Sequence, residues 1–156
     1  MTAREHRYPV TVEWTGNRGD GTTGYRDYGR EHSIRAGAKP RIPGSADPAF
    51  RGDPMRWNPE ELVVAAASAC HQLWYLHLCA DAGIAVQSYR DEAEGVMVEE
   101  PGGGHFVRIL LRPHVQVRPG DDIARAQALH REAHARCYVA NSLRCPVECE
   151  ATVEPA

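Results

Sequence analysis

The chain has 156 residues and a formal net charge of −3, with acidic and basic residues mixed along its length. This length suits one domain with a hydrophobic core, so we expect residues 1–156 to form a single domain. There is no clustered basic surface of the kind that binds nucleic acid, and no segment looks apolar enough to span a membrane. The N-terminal residues lack the apolar stretch of a secretory signal. We therefore expect a soluble, cytoplasmic protein that contacts neither nucleic acid nor membrane.

The N-terminal part predicts three short strands. Apolar and polar residues alternate over residues 8–14, which indicates a half-buried strand, and the glycine-containing segment 16–21 then turns the chain. Residues 22–28 and 31–35 could form two more strands.

Residues 38–57 form a long Pro/Gly-rich segment that interrupts regular structure. Loops of this length inside a domain are uncommon and often functional. Phe50, Met55 and Trp57 are costly to leave in water, so we expect an ordered arm that lines a site or wraps a partner subunit, rather than a mobile linker.

A helix is predicted to begin at Asn58-Pro59-Glu60-Glu61 and to run to about Ala80. Asn58 suits the N-cap, Pro59 the first helical position, and the two carboxylates the positive end of the helix dipole. The interior of this helix is apolar on nearly all sides, which is typical of a central helix that other elements cover.

The C-terminal half predicts a long strand over residues 84–98, a turn, and a partner strand that starts at residue 106 and continues past Pro113. An amphipathic helix follows over residues 123–138, and a last strand over residues 147–153. Strands and helices in this order indicate the α+β class.

Cys70 is the most interesting of five cysteines. A thiol in apolar surroundings is inert, and it becomes a nucleophile only beside a cation or a hydrogen-bond donor. His71 points about 100° away around the helix, so an arginine is the better candidate, with Arg51, Arg56 and Arg18 available. The plain alternative is a structural core thiol, which is also our interpretation of Cys79.

Two further groups of residues could carry chemistry. His130, His134 and Cys137 fall on one helical face at a spacing that can bind a metal, but no fourth ligand is evident and such histidines are usually solvated. Cys145 and Cys149 lack the CxxC redox spacing and are expected to be incidental small apolar residues.

Together these residues resemble the OsmC/Ohr family of osmotically inducible and organic hydroperoxide resistance proteins. The resemblance rests on Asn58 to Leu62, on Ser68-Ala69-Cys70-His71, and on Cys137 with Asn141-Ser142 and Pro146-Val147-Glu148. It covers nearly the whole chain and favours the OsmC-like branch. It implies antiparallel sheets packed around a buried central helix in an intertwined homodimer, with two active sites at the interface.

The resemblance also implies an enzyme, a cysteine-based peroxidase that acts in oxidative stress. Cys70 would attack an organic hydroperoxide and become a sulfenic acid, which Cys137 would resolve as a disulfide. A dithiol reductant of the lipoyl type would restore both thiols, with no bound cofactor or metal. Glu60 matches the family glutamate that pairs with an arginine. Arg51 is the nearest candidate for that arginine, while Arg18 matches another placement.

Two alternatives stay open from the sequence. The chain could be a non-catalytic or small-molecule-binding protein that kept the fold, or a metal-binding protein that uses His130, His134 and Cys137. Cys145 and Cys149 also leave open a different resolving partner for Cys70.

Overall fold

The computed structural model describes residues 3–156 and divides them into two compact units. The N-terminal unit extends to Leu62, and the C-terminal unit starts at Val63. A single domain over the whole chain stays a prediction.

The N-terminal unit holds a three-stranded antiparallel sheet. Its strands are β1 (Thr11–Trp14), β2 (His32–Arg35) and β3 (Ile42–Gly44), in the order β1-β2-β3. The strand expected over residues 22–28 is wrong, because that segment forms turns and bends. Two of its backbone carbonyl groups accept hydrogen bonds from a nearby side chain rather than from a neighbouring strand: the Arg30 guanidinium donates to the backbone oxygens of Tyr25 and Tyr28. The residues of β1 are exposed rather than half-buried.

The Pro/Gly-rich segment 38–57 is ordered by its own backbone, as expected. It contains β3 and a 3₁₀ turn at Pro48–Phe50. The Ser45 N–H donates to the Trp57 carbonyl at 2.9 Å, and the Trp57 N–H donates to the Pro43 carbonyl at 3.1 Å. Met55 remains 87% exposed and Trp57 48% exposed. The free-energy cost of leaving these apolar side chains in water, from which we expected a covering partner, is therefore still present in the single chain.

Helix α1 (Pro59–Asp81) begins and ends where the sequence predicts. The Asn58 Oδ1 atom accepts a hydrogen bond from the Glu61 N–H at 2.8 Å, and a Glu61 carboxylate oxygen accepts one from the Asn58 N–H at 3.1 Å. This reciprocal pair is a capping box. Gly83, with φ +73°, follows the last turn.

Only one face of α1 is buried, so the expectation of a helix covered on all sides is not met in this single chain. The buried residues are Ala67, His71, Tyr75, Leu78 and Cys79, whereas Leu73 on the opposite face is 67% exposed. By length and composition alone, α1 could also cross a membrane: 18 of its 23 residues average a hydropathy of 1.3, with 28% of them buried. By length and composition α1 is thus an exception to the expectation that no segment is apolar enough, but a core helix of a soluble protein passes the same test.

The two long strands predicted in the C-terminal unit are each divided in two. The first becomes β4 (Val86–Asp91) and β5 (Glu94–Glu100). The second becomes β6 (Gly103–Leu111) and β7 (Pro113–Val117). Strand β4 pairs with β7 and β5 with β6, both antiparallel. The chain therefore moves from one sheet to another between β4 and β5, and back again between β6 and β7.

The predicted last strand is also divided, into β8 (Val147–Cys149) and β9 (Thr152–Pro155). Strand β8 pairs with β6 and β9 with β7, and both pairs are parallel. The sheets β4-β7-β9 and β5-β6-β8 are therefore mixed, and the expectation of purely antiparallel sheets is wrong for them.

The second predicted helix ends early. Helix α2 (Ile123–Arg136) stops before Cys137, whose backbone is extended (φ −69°, ψ 107°), and a short helix α3 (Tyr138–Ser142) follows. The larger buried cluster joins the C-terminal half of α1 to β7 and α2; its members are Tyr75, Leu78, Cys79, Ile84, Val115, Val117, Ala126, Leu129 and Ala133. A smaller cluster joins Ala67 to β6 and β8.

Candidate active site

The structure brings Cys70 and Cys137 together. Cys70 projects from α1, and Cys137 lies in the extended link between α2 and α3. Cys70 lies near enough to Cys137 to influence the pKa of the Cys137 thiol, and neither residue is in a disulfide. Residues 67 positions apart in sequence therefore meet, which is the geometric condition for a redox pair.

The two thiols differ in access. Cys70 is half-buried, whereas Cys137 is only 1% exposed. The pKa of the Cys137 thiol is raised to about 11. Burial is the largest cause; the Ala140 N–H, which donates to Sγ at 3.4 Å, acts in the opposite direction, and the neighbouring Cys70 adds to the increase. Cys137 is therefore a protonated thiol near neutral pH.

Cys70 borders an apolar pocket of about 580 Å³ on the exposed face of α1. The lining residues are Ala66, Ala69, Cys70, Leu73, Trp74, His77 and Tyr138. The Trp74 ring meets Tyr138 edge-on at 5.5 Å between centroids, and the Arg136 guanidinium lies 5.8 Å from the Trp74 ring. The i, i+3/i+4, i+7 spacing of the α1 residues could have indicated this face from sequence, but the interpretation as an all-round buried helix hid it.

The remaining predicted site residues belong to the N-terminal unit. Glu60 is half-buried in the first turn of α1. Arg51 is exposed and follows the 3₁₀ turn in a left-handed conformation (φ 66°), which is uncommon for a residue other than glycine. Arg56 pairs with Asp53 at 3.6 Å, and Arg18 is exposed in the turn after β1.

A second cluster of possible ligands lies on the buried face of α1. His71 Nε2 is 3.0 Å from His130 Nδ1 and 3.7 Å from Cys149 Sγ. Burial is the main influence on both imidazoles and lowers the pKa of His71 to about 4 and that of His130 to about 3. Burial also raises the pKa of Cys149 to about 12. All three groups are thus uncharged near neutral pH.

The metal ligands considered from the sequence were a different group, His130 with His134 and Cys137. Because α2 ends at Arg136, Cys137 does not continue the helical face of His130 and His134. His130 is 4% exposed rather than solvated, and its near neighbours are His71 and Cys149. The sequence offered only a weak signal for this arrangement, since the residues come from three separate elements.

Comparison with known proteins agrees with this architecture. Residues 52–152 match the family model of OsmC-like proteins. The chain belongs to the OsmC-like protein family. It is 24% identical to the uncharacterised protein YmaD of Bacillus subtilis (strain 168) over 147 aligned residues. This alignment covers 92% of this chain and 91% of that protein.

Solved OsmC-like structures have the same fold. An OsmC-like protein of unknown function from Vibrio cholerae superposes with a TM-score of 0.85 at 28% identity, covering 95% of this chain and all of that one. An organic hydroperoxide resistance protein from Elizabethkingia anophelis gives a TM-score of 0.68 at 21% identity, covering 98% of this chain and 100% of that one. The predicted α+β class and the family are therefore confirmed.

Proposed function

We propose that this protein is a thiol-dependent peroxidase that reduces organic hydroperoxides, with Cys70 as the attacking thiolate and Cys137 as the resolving thiol. The observation that carries the proposal is the meeting of these two thiols beside an apolar pocket. The name of the Elizabethkingia protein, an organic hydroperoxide resistance protein, supports the substrate class.

The reaction divides into three balanced steps. The Cys70 thiolate attacks the terminal oxygen of ROOH; the O–O bond breaks, and ROH leaves after taking a proton, with Cys70 now a sulfenic acid. The Cys137 sulfur then attacks the Cys70 sulfur, which forms the disulfide and releases water. A dithiol reductant, of the lipoyl type by family resemblance, reduces this disulfide by exchange and itself becomes a cyclic disulfide.

The assignment of roles follows from access and protonation. A peroxide in the pocket meets Cys70, which lines it, and not Cys137, which is 1% exposed. The high pKa of Cys137, about 11, keeps it a poor nucleophile toward peroxide. It needs to react only once a sulfenic acid stands beside it.

The pocket favours an apolar peroxide. Its walls are alanine, leucine and aromatic side chains, and each apolar group that a substrate buries there gains hydrophobic free energy that hydrogen peroxide cannot provide. We therefore propose alkyl or fatty-acid hydroperoxides as substrates.

A homodimer is part of this proposal. Ten residues along one helix separate Glu60 from Cys70 by about 15 Å along the axis. A pair of Glu60 with an arginine, for which Arg51 is our candidate, would thus act on the Cys70 of a second copy. The apolar outer face of α1 and the exposed Met55 and Trp57 are surfaces that a second copy could cover. We place the enzyme in the cytoplasm, where a dithiol reductant is available.

The decisive experiment measures turnover of cumene hydroperoxide with a dithiol reductant. Cys70→Ser should reduce turnover to the rate measured without protein, whereas the matched control Cys145→Ser should keep the wild-type rate. Full activity of Cys70→Ser would show the mechanism to be wrong. A wild-type protein with no turnover, whose Cys70 also reacts slowly with thiol reagents, would favour the non-catalytic alternative.

A further inference from the structure

The buried face of α1 holds three potential metal ligands that the peroxidase mechanism does not use. His71 comes from α1, His130 from α2 and Cys149 from β8. Their ligand atoms, His71 Nε2, His130 Nδ1 and Cys149 Sγ, all lie within 4.8 Å of one another. Three separate elements therefore converge on one point.

The spacing of these atoms is close to that around zinc. Tetrahedral zinc, with Zn–N bonds of about 2.05 Å and a Zn–S bond of about 2.3 Å, separates two nitrogens by about 3.3 Å and a nitrogen from a sulfur by about 3.6 Å. The observed distances are 3.0 Å for His71 Nε2 to His130 Nδ1 and 3.7 Å for His71 Nε2 to Cys149 Sγ. The two rings, now 5° from parallel and in contact through these nitrogens, would have to turn so that both lone pairs point to a common centre.

We propose that His71, His130 and Cys149 form a zinc(II) site with three protein ligands. Two imidazoles and one thiolate are a ligand set that zinc prefers. This proposal does not depend on the peroxidase activity, because none of the three residues takes part in it.

A route for the metal is also present. A cavity of about 700 Å³ borders the site, and His130 and Cys149 are among its lining residues. Two of the three proposed ligands therefore line a cavity through which a metal ion could reach the site. Three protein ligands with one open position are the usual arrangement of an accessible zinc site.

Charge near the site favours a cation. Asp91, held by the Ser68 hydroxyl and by the Arg112 N–H at 2.7 Å, lies near enough for its carboxylate to act electrostatically on both His71 and Cys149. In the metal-bound state this negative charge would offset the net positive charge that Zn²⁺ and one thiolate leave.

The protons balance in a simple way. With both imidazoles neutral, a hydrogen bond over the 3.0 Å between His71 Nε2 and His130 Nδ1 requires a proton on one of these two nitrogens. On binding, that proton moves to the other nitrogen of its ring, where neither His71 Nδ1 nor His130 Nε2 has a protein partner. Cys149 loses its thiol proton to solvent, so one proton is released for each Zn²⁺ bound.

The test uses the full-length reduced protein, first stripped of metal with a chelator and then titrated with Co²⁺ alone. We expect one Co²⁺ per chain, visible bands of the intensity typical of four-coordinate cobalt, and a near-ultraviolet thiolate-to-cobalt band. Zn²⁺ added in turn should displace the cobalt and remove both bands. Absence of the thiolate band in the wild-type protein would overturn the proposal.

Variants locate the site. Cys149→Ser should remove the thiolate band and weaken binding by more than the roughly 10–100-fold that loss of an outer partner costs. Cys145→Ser, four residues earlier, and Cys70→Ser should both keep the wild-type spectrum. A band that disappears in Cys70→Ser and persists in Cys149→Ser would place the metal at the other thiol and refute the proposal.

A measurement on the unmodified protein guards against variants that fail to fold. Zn²⁺ should slow alkylation of Cys149 relative to that of Cys145, read peptide by peptide by mass spectrometry. Equal alkylation rates at Cys149 with and without saturating Zn²⁺ would again contradict the site.

Discussion

Cys70 and His71 are sequence neighbours on α1, yet they belong to two different chemical environments. Cys70 faces outward, onto an apolar pocket, and meets Cys137. His71 is 1% exposed and faces inward, where it meets His130 and Cys149. One helical step of about 100° therefore separates a pair of thiols, of which Cys70 lines a pocket, from a cluster of two buried imidazoles and a thiol.

This difference shows that the neighbouring groups, rather than the residue type, distinguish one cysteine from another. Cys137 and Cys149 both have raised pKa values, mainly because of burial. Cys137 lies beside the pocket-lining Cys70, where under the proposed mechanism it intercepts a sulfenic acid formed there. Cys149 lies beside the His71 imidazole instead, where under our second proposal it binds a metal ion.

The largest effect should come from replacing Cys137, the proposed resolving cysteine. After one equivalent of cumene hydroperoxide, we expect Cys137→Ser to form no intramolecular disulfide, so that Cys70 persists as a sulfenic acid and oxidises further to a sulfinic acid. Cys149→Ser should form the disulfide as the wild-type protein does. Mass spectrometry of the intact and digested protein distinguishes these products, and a disulfide in Cys137→Ser would give the resolving role to another cysteine.

A leucine in the buried core and a leucine on the outer face of α1 should also differ in their contribution to the free energy of unfolding. Leu129 is fully buried against α1, so Leu129→Ala should lower the free energy of unfolding by about 2–5 kcal/mol. Urea unfolding measures this. A loss below about 1 kcal/mol would mean that α2 does not pack on α1 as described.

Leu73, on the outer face, is the matched case. It is 67% exposed, so Leu73→Glu should leave folding of the single chain nearly unchanged, within about 0.5 kcal/mol. Under the homodimer proposal, however, it should shift the molecular mass measured by light scattering from dimer to monomer. A wild-type dimer that Leu73→Glu leaves intact would show that this face is not the dimer contact.

The buried imidazoles should make stability depend on pH. The pKa of His71 falls from 6.5 in the unfolded chain to about 4, and that of His130 to about 3. The unfolded state therefore binds more protons between these values, and stability is complete above pH 6.5 and is lost as pH falls toward 4. At about 1.4 kcal/mol per pH unit, the loss is on the order of 3 kcal/mol for His71.

Urea unfolding in the presence of a chelator, at several pH values, measures this loss. Replacement of His130 by Asn should flatten the pH dependence, whereas His114→Asn, at a half-exposed histidine beside Glu154, should leave it nearly as it is. Equal slopes for the wild-type protein and His130→Asn would show that the buried pair is not the group that titrates.

The parts of this molecule that the sequence predicts are those that local chemistry decides. The start of α1 follows from four consecutive residues, 58–61, whose side chains bond to each other's backbone. The ends of α2 and of the long strands do not follow in this way. The first hairpin break is at Asp91, whose carboxylate binds the N–H of Arg112, 21 residues away, so no short window contains its cause.

The candidate sites show the same division. The family motif around Cys70 and Cys137 is visible in sequence because its residues stand in recognisable segments. The contact between His71 on α1 and Cys149 on β8 joins residues 78 positions apart, and it depends on the parallel pairing of β8 with β6. The sequence predicted a single strand through residue 153 and therefore could not place the Cys149 thiol.

The smallest effect should come from the helix start, which positions both sites without touching either. Asn58→Ala removes the oxygen that accepts from the Glu61 N–H and should cost about 1 kcal/mol of stability. Asn58→Asp, which keeps that oxygen, should cost less. Because α1 continues for more than two turns before Cys70, peroxide turnover and cobalt binding should both stay at wild-type values in Asn58→Ala. If one of the two falls alone, the first turn of α1 contributes to that site directly, and the two faces of the helix are less independent than their separation around the axis suggests.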